Sequence, residues 1–358
     1  MNAKPSLREV FAQLADEGLT KPLEDDAAIR SLSHESQKST LPWYVKLFVG
    51  LSAWIAAILI TAFFFIIGII DEDQALFFGL VFCALAILFN HVNRSNIFLG
   101  QLSLALSLTG QVLAIIGLFS RFDYDIYGWL PAIIPIIILE LILIWLHRDS
   151  VLRFISTLII VIFILVLIFD QNTLTSLHGF IIVLAACTLF IHFKENNFRL
   201  RGFEELISPV GGAITVSLLG ILIMPLLDDY ELRWEFTAVT LFIFLLFLLA
   251  QIAVDLGYSL RNRVVITLAV GCMLLLVPAI SMPGILAALI VLVLGFWRSN
   301  RGLMGLASVF LIFYFWAYYY SLEWTLLIKS LVLMGSGVTL LVLRYFVVRF
   351  TAKAGDEL

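Results

Sequence analysis

Apolar runs of about 17–25 residues follow one another from residue 47 to residue 346. Short breaks of charged, Asn, Gly or Pro residues separate them. Read between those breaks, the chain predicts twelve membrane-crossing helices, over residues 47–70, 75–89, 97–119, 129–146, 152–169, 176–193, 205–227, 235–255, 264–280, 283–297, 303–320 and 324–346. The runs at 75–89 and 283–297 are short for a hydrocarbon core of about 30 Å. Joining residues 264–297 into one helix would give a rod of about 50 Å, too long for a bilayer. Pro278 and Pro283 therefore mark a turn, and twelve is the preferred count.

Composition agrees with that pattern. Hydrophobic residues make up 62% of the chain and charged residues only 13%, where a soluble domain of this length needs roughly a quarter of its residues charged. Lipid is the expected solvent, and the fold class that follows is all-α, a polytopic transmembrane helical bundle.

Charge then orients the bundle. Of 22 Lys and Arg residues, 19 fall in the N-terminal segment, in five alternate loops and in the C-terminal tail. Only Arg121, Arg233 and Lys329 lie on the opposite side, among eleven acids that include Asp71, Asp228 and Glu231. Basic loops stay in the cytoplasm during insertion, so both termini are expected there. Tyr124, Trp129, Trp234 and Trp324 mark the outer interface, and Trp43, Trp145 and Trp297 the inner one. The division expected is a cytoplasmic segment over 1–43, a transmembrane domain over 44–350 and a tail over 351–358. No signal peptide precedes the first run, because the polar segment ahead of Leu47 is too long for an n-region. The first span is then the expected insertion signal. Within the N-terminal segment, Ser6 and Glu9 have capping-box spacing ahead of Leu7, Val10, Phe11 and Leu14 at helical intervals. That pattern predicts a short amphipathic helix, followed by a flexible linker over 31–40.

The loops are too short to build an active site outside the bilayer, so candidate chemistry lies within or beside it. An ionisable group inside a membrane is a functional candidate by default. Glu140 is the clearest, seven residues before His147 and so about 10 Å from the inner edge. It follows Pro131 and Pro135 and reads as a proton- or cation-binding carboxylate, against a structural alternative in which it hydrogen-bonds a neighbouring helix. Lys329 reads as an interfacial lysine able to pair with Glu323. Gln251 and Asp255 lie one turn apart, and Gln101 and Gln111 accompany Ser103, Ser107 and Gly110, all suited to helix–helix bonding. Pro209, Gly211 and Gly212 suggest close packing or a broken helix. Cys83, Cys187 and Cys272 sit in apolar runs, so no disulfide or cysteine metal cluster is expected. The five histidines form no motif, and no catalytic, metal or cofactor signature appears. No basic patch supports nucleic-acid binding.

Two stretches carry a family resemblance. Residues Pro42–Ala57 place a Pro-Trp-Tyr-Val-Lys sequence before a first span containing Gly50 and Trp54, and Tyr318–Tyr345 hold a Leu-Leu-Ile-Lys-Ser core ending in Leu343, Arg344 and Tyr345. With the twelve-span layout, these resemble a bacterial membrane family called domain of unknown function 4401. The resemblance implies a bacterial inner (plasma) membrane protein that works beside a membrane-anchored GDYXXLXY-domain protein and a related multi-span protein of the 2157 family. It places Lys329 within a family motif and leaves Glu140 outside one. The first functional expectation is a non-enzymatic subunit or scaffold with an envelope partner. The alternative is a secondary transporter of a small or amphipathic solute, with Glu140 as its coupling carboxylate. No cofactor is expected.

The charge pattern makes a direct prediction. Green fluorescent protein fused after Leu358 is expected to fluoresce, and alkaline phosphatase at the same point to stay inactive. Active phosphatase there would reverse the assigned orientation.

Overall fold

A computed structural model of the chain describes residues 43–68, 71–92, 97–122, 128–170, 174–227, 234–257 and 282–321, with single positions between 327 and 345. Every regular element among the described residues is a helix. In chain order they are α1 (Trp43–Ile66), α2 (Glu72–Val92), α3 (Ile97–Phe119), α4 (Leu130–Leu146), α5 (Ser150–Asp170), α6 (Leu174–Leu200), α7 (Glu204–Ile221), the four-residue α8 (Met224–Leu227), α9 (Trp234–Asp255), α10 (Pro283–Trp297) and α11 (Arg301–Ser321). Eight of them, α1, α2, α3, α5, α6, α7, α9 and α11, are long and apolar enough to cross a membrane, while α4 and α10 are shorter apolar helices. The chain is a multi-pass helical membrane protein by that measure. With no water to satisfy the backbone, the helix closes its hydrogen bonds within the segment.

The helix ends follow from local chemistry. The Asp149 carboxylate accepts the N–H groups of Val151 and Leu152 at 2.8 and 3.1 Å and starts α5. Asn300 does the same for Gly302 and Leu303 at the start of α11. Pro131 and Pro283 occupy the first turns of α4 and α10, where the missing N–H costs nothing. Gly202, at φ +77°, turns the chain between α6 and α7.

Ten of the twelve expected spans fall on described helices, with three differences. The short run at 75–89 becomes the 21-residue α2. The sixth span continues past residue 193 to Leu200, because polar residues at a membrane edge still hold a helix. The run at 205–227 is not one helix: α7 stops at Ile221, and α8 follows a turn at residues 222–223. Pro225 has no N–H to bond the Ile221 carbonyl and carry the helix onward. The spans expected at 264–280 and, but for scattered positions, 324–346 lie outside the described residues. So does the N-terminal amphipathic helix.

Packing runs as a chain of neighbours. α3 lies between α1 and α2 on one side and α4 and α5 on the other; α5 then meets α7, α7 meets α6, and α6, α9, α10 and α11 follow. A large apolar cluster fills the second half, with Ile181, Leu218, Leu222, Leu241, Leu248 and Val291 sealed. A smaller one, including Ala57, Phe82, Ala86, Ala105 and Leu113, fills the first. The spanning part of α3 is 61% buried against 17% for α1, so α3 is the axis of the first half and α1 lies at its edge.

Small residues let α2 and α3 approach closely. A Cβ on Gly110 would lie 2.7 Å from the Cys83 sulfur and from the Gly79 oxygen, and one on Gly117 would lie 2.8 Å from the Leu76 Cα. Both residues are backbone-limited and cannot yield by a rotamer change. Gly117→Val is therefore expected to destabilise the protein by about 1–3 kcal/mol or more. Gly100→Ala, whose Cβ would meet nothing within 4 Å, should leave the melting temperature unchanged or slightly raised. Thermal unfolding in detergent reads both, and equal behaviour of the two variants would refute the close-packing assignment.

Candidate functional site

Glu140 is the one charged residue of α4. It lies on the buried stripe of that helix, in line with Ala132, Ile133, Ile136, Leu143 and Ile144. Its exposure is 0%. An α4 rotated by half a turn would place this carboxylate in lipid, where a charge is costly. Burial of the stripe instead turns it toward the other helices.

What it meets there is polar. Ser156 of α5 is the side chain placed to offer Glu140 a hydrogen bond. The Gln111 amide of α3 donates to the Ser156 hydroxyl at 3.1 Å. Cys83 of α2 interacts electrostatically with Glu140, and its thiol points at the Ser107 carbonyl of α3 at 3.8 Å. Glu140, Ser156, Gln111, Ser107 and Cys83 are all at most 3% exposed, so four helices close a polar nest inside an apolar bundle. The nest is incomplete. Both carboxylate oxygens of Glu140, the Gln111 Oε1 and the Ser107 Oγ are buried without a hydrogen-bond partner of full geometry. Besides burial, the group acting on Glu140 is the Ser156 hydroxyl, and no basic side chain among the described residues joins it. A lone carboxylate cannot remain ionised and unpaired in such a site at acceptable cost. The nest requires a positive ion, either a proton on Glu140 or a small cation beside it.

A second set of bonds fixes the end of α4 that carries the basic loops. His147 is fully buried. Its Nδ1 accepts the Asp149 N–H at 3.3 Å, which leaves Nε2 as the protonated nitrogen, donating to the Ser103 hydroxyl at 2.8 Å. That hydroxyl donates in turn to the Ala86 carbonyl at 2.7 Å. The Arg148 N–H reaches the Asn90 side chain at 3.4 Å. The junction after α4 is thus tied to α2 and α3. Arg153, 5% exposed, donates from Nε to the Ile144 carbonyl at 3.1 Å and from Nη1 to the Glu205 carbonyl at 2.7 Å. The second acceptor is free for a reason in the sequence: a helix would bond Glu205 to the N–H four residues on, and Pro209 has none. Arg153 fills that gap and joins α4, α5 and α7.

A cavity of about 260 Å³ opens near this end among α5, α6, α7 and the start of α11, with His192, Glu195, Glu204, Ser208 and Asn300 among its lining. His192 Nδ1 lies 3.8 Å from Glu195, and Nε2 lies 3.5 Å from the Thr215 hydroxyl. Glu140 is not among the residues lining it.

The other sequence candidates do not join the nest. Gln251 is half-buried in α9, and Asp255 is exposed at its last position. Lys329 and Glu323 lie outside the described residues. Gly211 packs closely, as one of its two expected roles required: a Cβ there would meet Ile191 at 2.7 Å. Among the described residues, no group of three or more His, Cys, Asp or Glu residues could hold a metal ion, and Cys83 and Cys187 are free thiols. Sequence reasoning passed over Ser156 and the inward turn of Arg153. The available signal for Ser156 was the adjacent hydroxyl pair Ser156 and Thr157 near the start of an otherwise apolar span five.

The family description "Domain of unknown function (DUF4401)" matches residues 42–350, and the chain belongs to that family. No curated protein and no solved structure matches it.

The His147 network has a pH signature. Burial first, opposed by Asp149 and reinforced by Arg153 and His91, pushes the imidazole from 6.5 down to about 4. Above pH 6.5 folded and unfolded chains are both neutral there, and stability is unaffected. As pH falls from about 6.5 toward 4, the unfolded chain takes up a proton that the folded one refuses. Stability should drop by up to about 1.4 kcal/mol per pH unit across that window. His147→Gln is expected to flatten this acid limb of the melting-temperature profile; an unchanged limb would remove His147 as its source.

Proposed function

We propose that this member of the family is a twelve-span protein of the bacterial inner membrane with both termini in the cytoplasm, and that it works as a secondary transporter of a small or amphipathic solute with Glu140 as the coupling carboxylate. The observation that carries this reading is the nest. A carboxylate at 0% exposure, with neither oxygen in a hydrogen bond of full geometry and no basic partner among the described residues, sits on the short proline-bearing α4. Structural carboxylates in membranes are paired or fully hydrogen-bonded. An unfinished site on one helix, closed by three others, gives binding of a positive ion leverage over helix packing, as coupling needs.

A non-enzymatic subunit working with a membrane-anchored envelope partner is the second reading. The observation on its side is α1, 17% buried over its spanning part, with Phe48, Ile55, Leu59 and Phe63 exposed. A partner's helix has that face open to it. Neither reading includes catalysis.

Proteoliposomes loaded with a pH-sensitive dye test the first reading. A member of a panel of small amphipathic solutes should collapse an imposed proton or sodium gradient through the wild-type chain. Glu140→Gln should slow that coupled flux at least tenfold while the protein remains folded and inserted. Flux indifferent to the substitution, or none for any solute with a partner protein co-purifying in stoichiometric amount, would transfer support to the second reading.

A further inference from the structure

We propose that the nest around Glu140 is a binding site for a desolvated sodium ion, taken up in exchange for a proton. The assignment rests on the coupling role given to Glu140 above and names the ion that role uses.

The donor set is the first argument. Of the buried side-chain atoms left without a hydrogen-bond partner among the described residues, four belong to the nest: the two Glu140 carboxylate oxygens, Gln111 Oε1 and Ser107 Oγ. All are oxygens, the donor type that hard cations select, and the Cys83 sulfur is turned toward the Ser107 carbonyl instead. They come from α3 and α4, with the Ser156 hydroxyl of α5, which accepts from the Gln111 amide, placed beside Glu140. A single proton on Glu140 supplies one donor. An alkali cation serves several oxygens at once.

Charge and size narrow the choice. One carboxylate balances one positive charge. A divalent ion would leave the apolar interior with a net positive charge, and magnesium also resists giving up its water. Close packing favours the smaller alkali ion. The α2–α3 wall beside the nest is so tight that a Cβ on Gly110 would lie 2.7 Å from the Cys83 sulfur. On binding, the Glu140 O–H bond breaks, its proton passes to water, and the carboxylate so formed coordinates the ion. The charge of the site is the same before and after.

Among the described residues, no ionisable group on the helices packed against α4 competes for this role. α3 carries no ionisable side chain. α2 offers the Cys83 thiol; its two acids, Glu72 and Asp73, are its first residues, about 15 Å along the helix from Cys83, and its His91 ring lies on the Ile87 carbonyl at the basic end. Arg153 of α5 is committed to the Ile144 and Glu205 carbonyls. His147 is committed to Ser103 and the Asp149 N–H.

The test uses the full chain purified in sodium-free detergent, with sodium, potassium or choline chloride at constant ionic strength. Sodium should raise the melting temperature by mass action on the folded state, and potassium and choline should not. The half-saturating sodium concentration should rise about tenfold per unit fall in pH where one proton competes for one ion. Glu140→Gln should abolish both the sodium and the pH response, and Ser107→Ala, a milder change, should raise the half-saturating concentration several-fold. A melting temperature that depends on pH through Glu140 but is equal in sodium and choline overturns the sodium assignment and leaves a proton-coupled carboxylate. Equal responses to sodium and potassium overturn it as a general salt effect. If Glu140→Gln alters neither response, the coupling role fails with it.

Discussion

A polar group inside a membrane protein must find its partners within the protein. The hydrocarbon offers none, and leaving a charge there costs several kcal/mol. The arrangement of α2 to α5 follows from that constraint acting on Glu140. Its carboxylate sets the rotation of α4, and that rotation presents Ile133, Ile136 and Leu143 to the interior. Ser156 and Gln111 then hold α5 and α3 against the same point. The large cluster formed by the later helices is apolar packing, which tolerates volume-conserving exchange. The nest does not, because its members are specified by chemistry and not by volume.

Placing α4 requires a second fixed point, and the basic end supplies it. His147, Ser103 and the Ala86 carbonyl form one relay, and Arg153 spans the Ile144 and Glu205 carbonyls. Pro209 has a constructive part here. By withholding an N–H it exposes a carbonyl that a straight helix would have used, and the arginine that meets it joins three helices. Charge-assisted bonds of this kind are worth roughly twice a neutral one. The end of α4 is therefore held firmly, while the nest about 10 Å away keeps unpartnered oxygens. Rigidity at the end and incompleteness in the middle are what a helix needs if an ion is to alter its packing.

The sequence displayed most of the helices plainly, as apolar runs with charged punctuation, but not the break at residues 222–223 or the polar extension of α6 to Leu200. It did not display which face of each run is buried. Lipid is as apolar as the core, so Leu and Ile on the two faces of α4 read alike, and only Glu140 breaks the tie. The polar members of the nest come from three other helices, and no spacing along the chain links the members on one helix to those on another. Gln111 and Ser107 were visible as a polar stripe, but Ser156, which completes it, lies in a different span. Arg153 was counted as one more positive charge in a basic loop. Its side chain is buried on carbonyls, because a proline in a helix 56 residues on leaves one of them vacant.

Infrared difference spectroscopy of the full chain in sodium-free lipid tests the central claim most directly. At about pH 6 the nest should hold its positive ion as a proton, consistent with the cost of burying a lone charge. A protonated carboxyl carbonyl band is expected, lost in Glu140→Gln and shifted in frequency by Ser156→Ala, which removes its hydrogen-bonding neighbour. No such band at any pH above about 5, where an exposed carboxylic acid is already ionised, would contradict the account. Glu140 would then be solvated or ionised, and the four helices would not seal it.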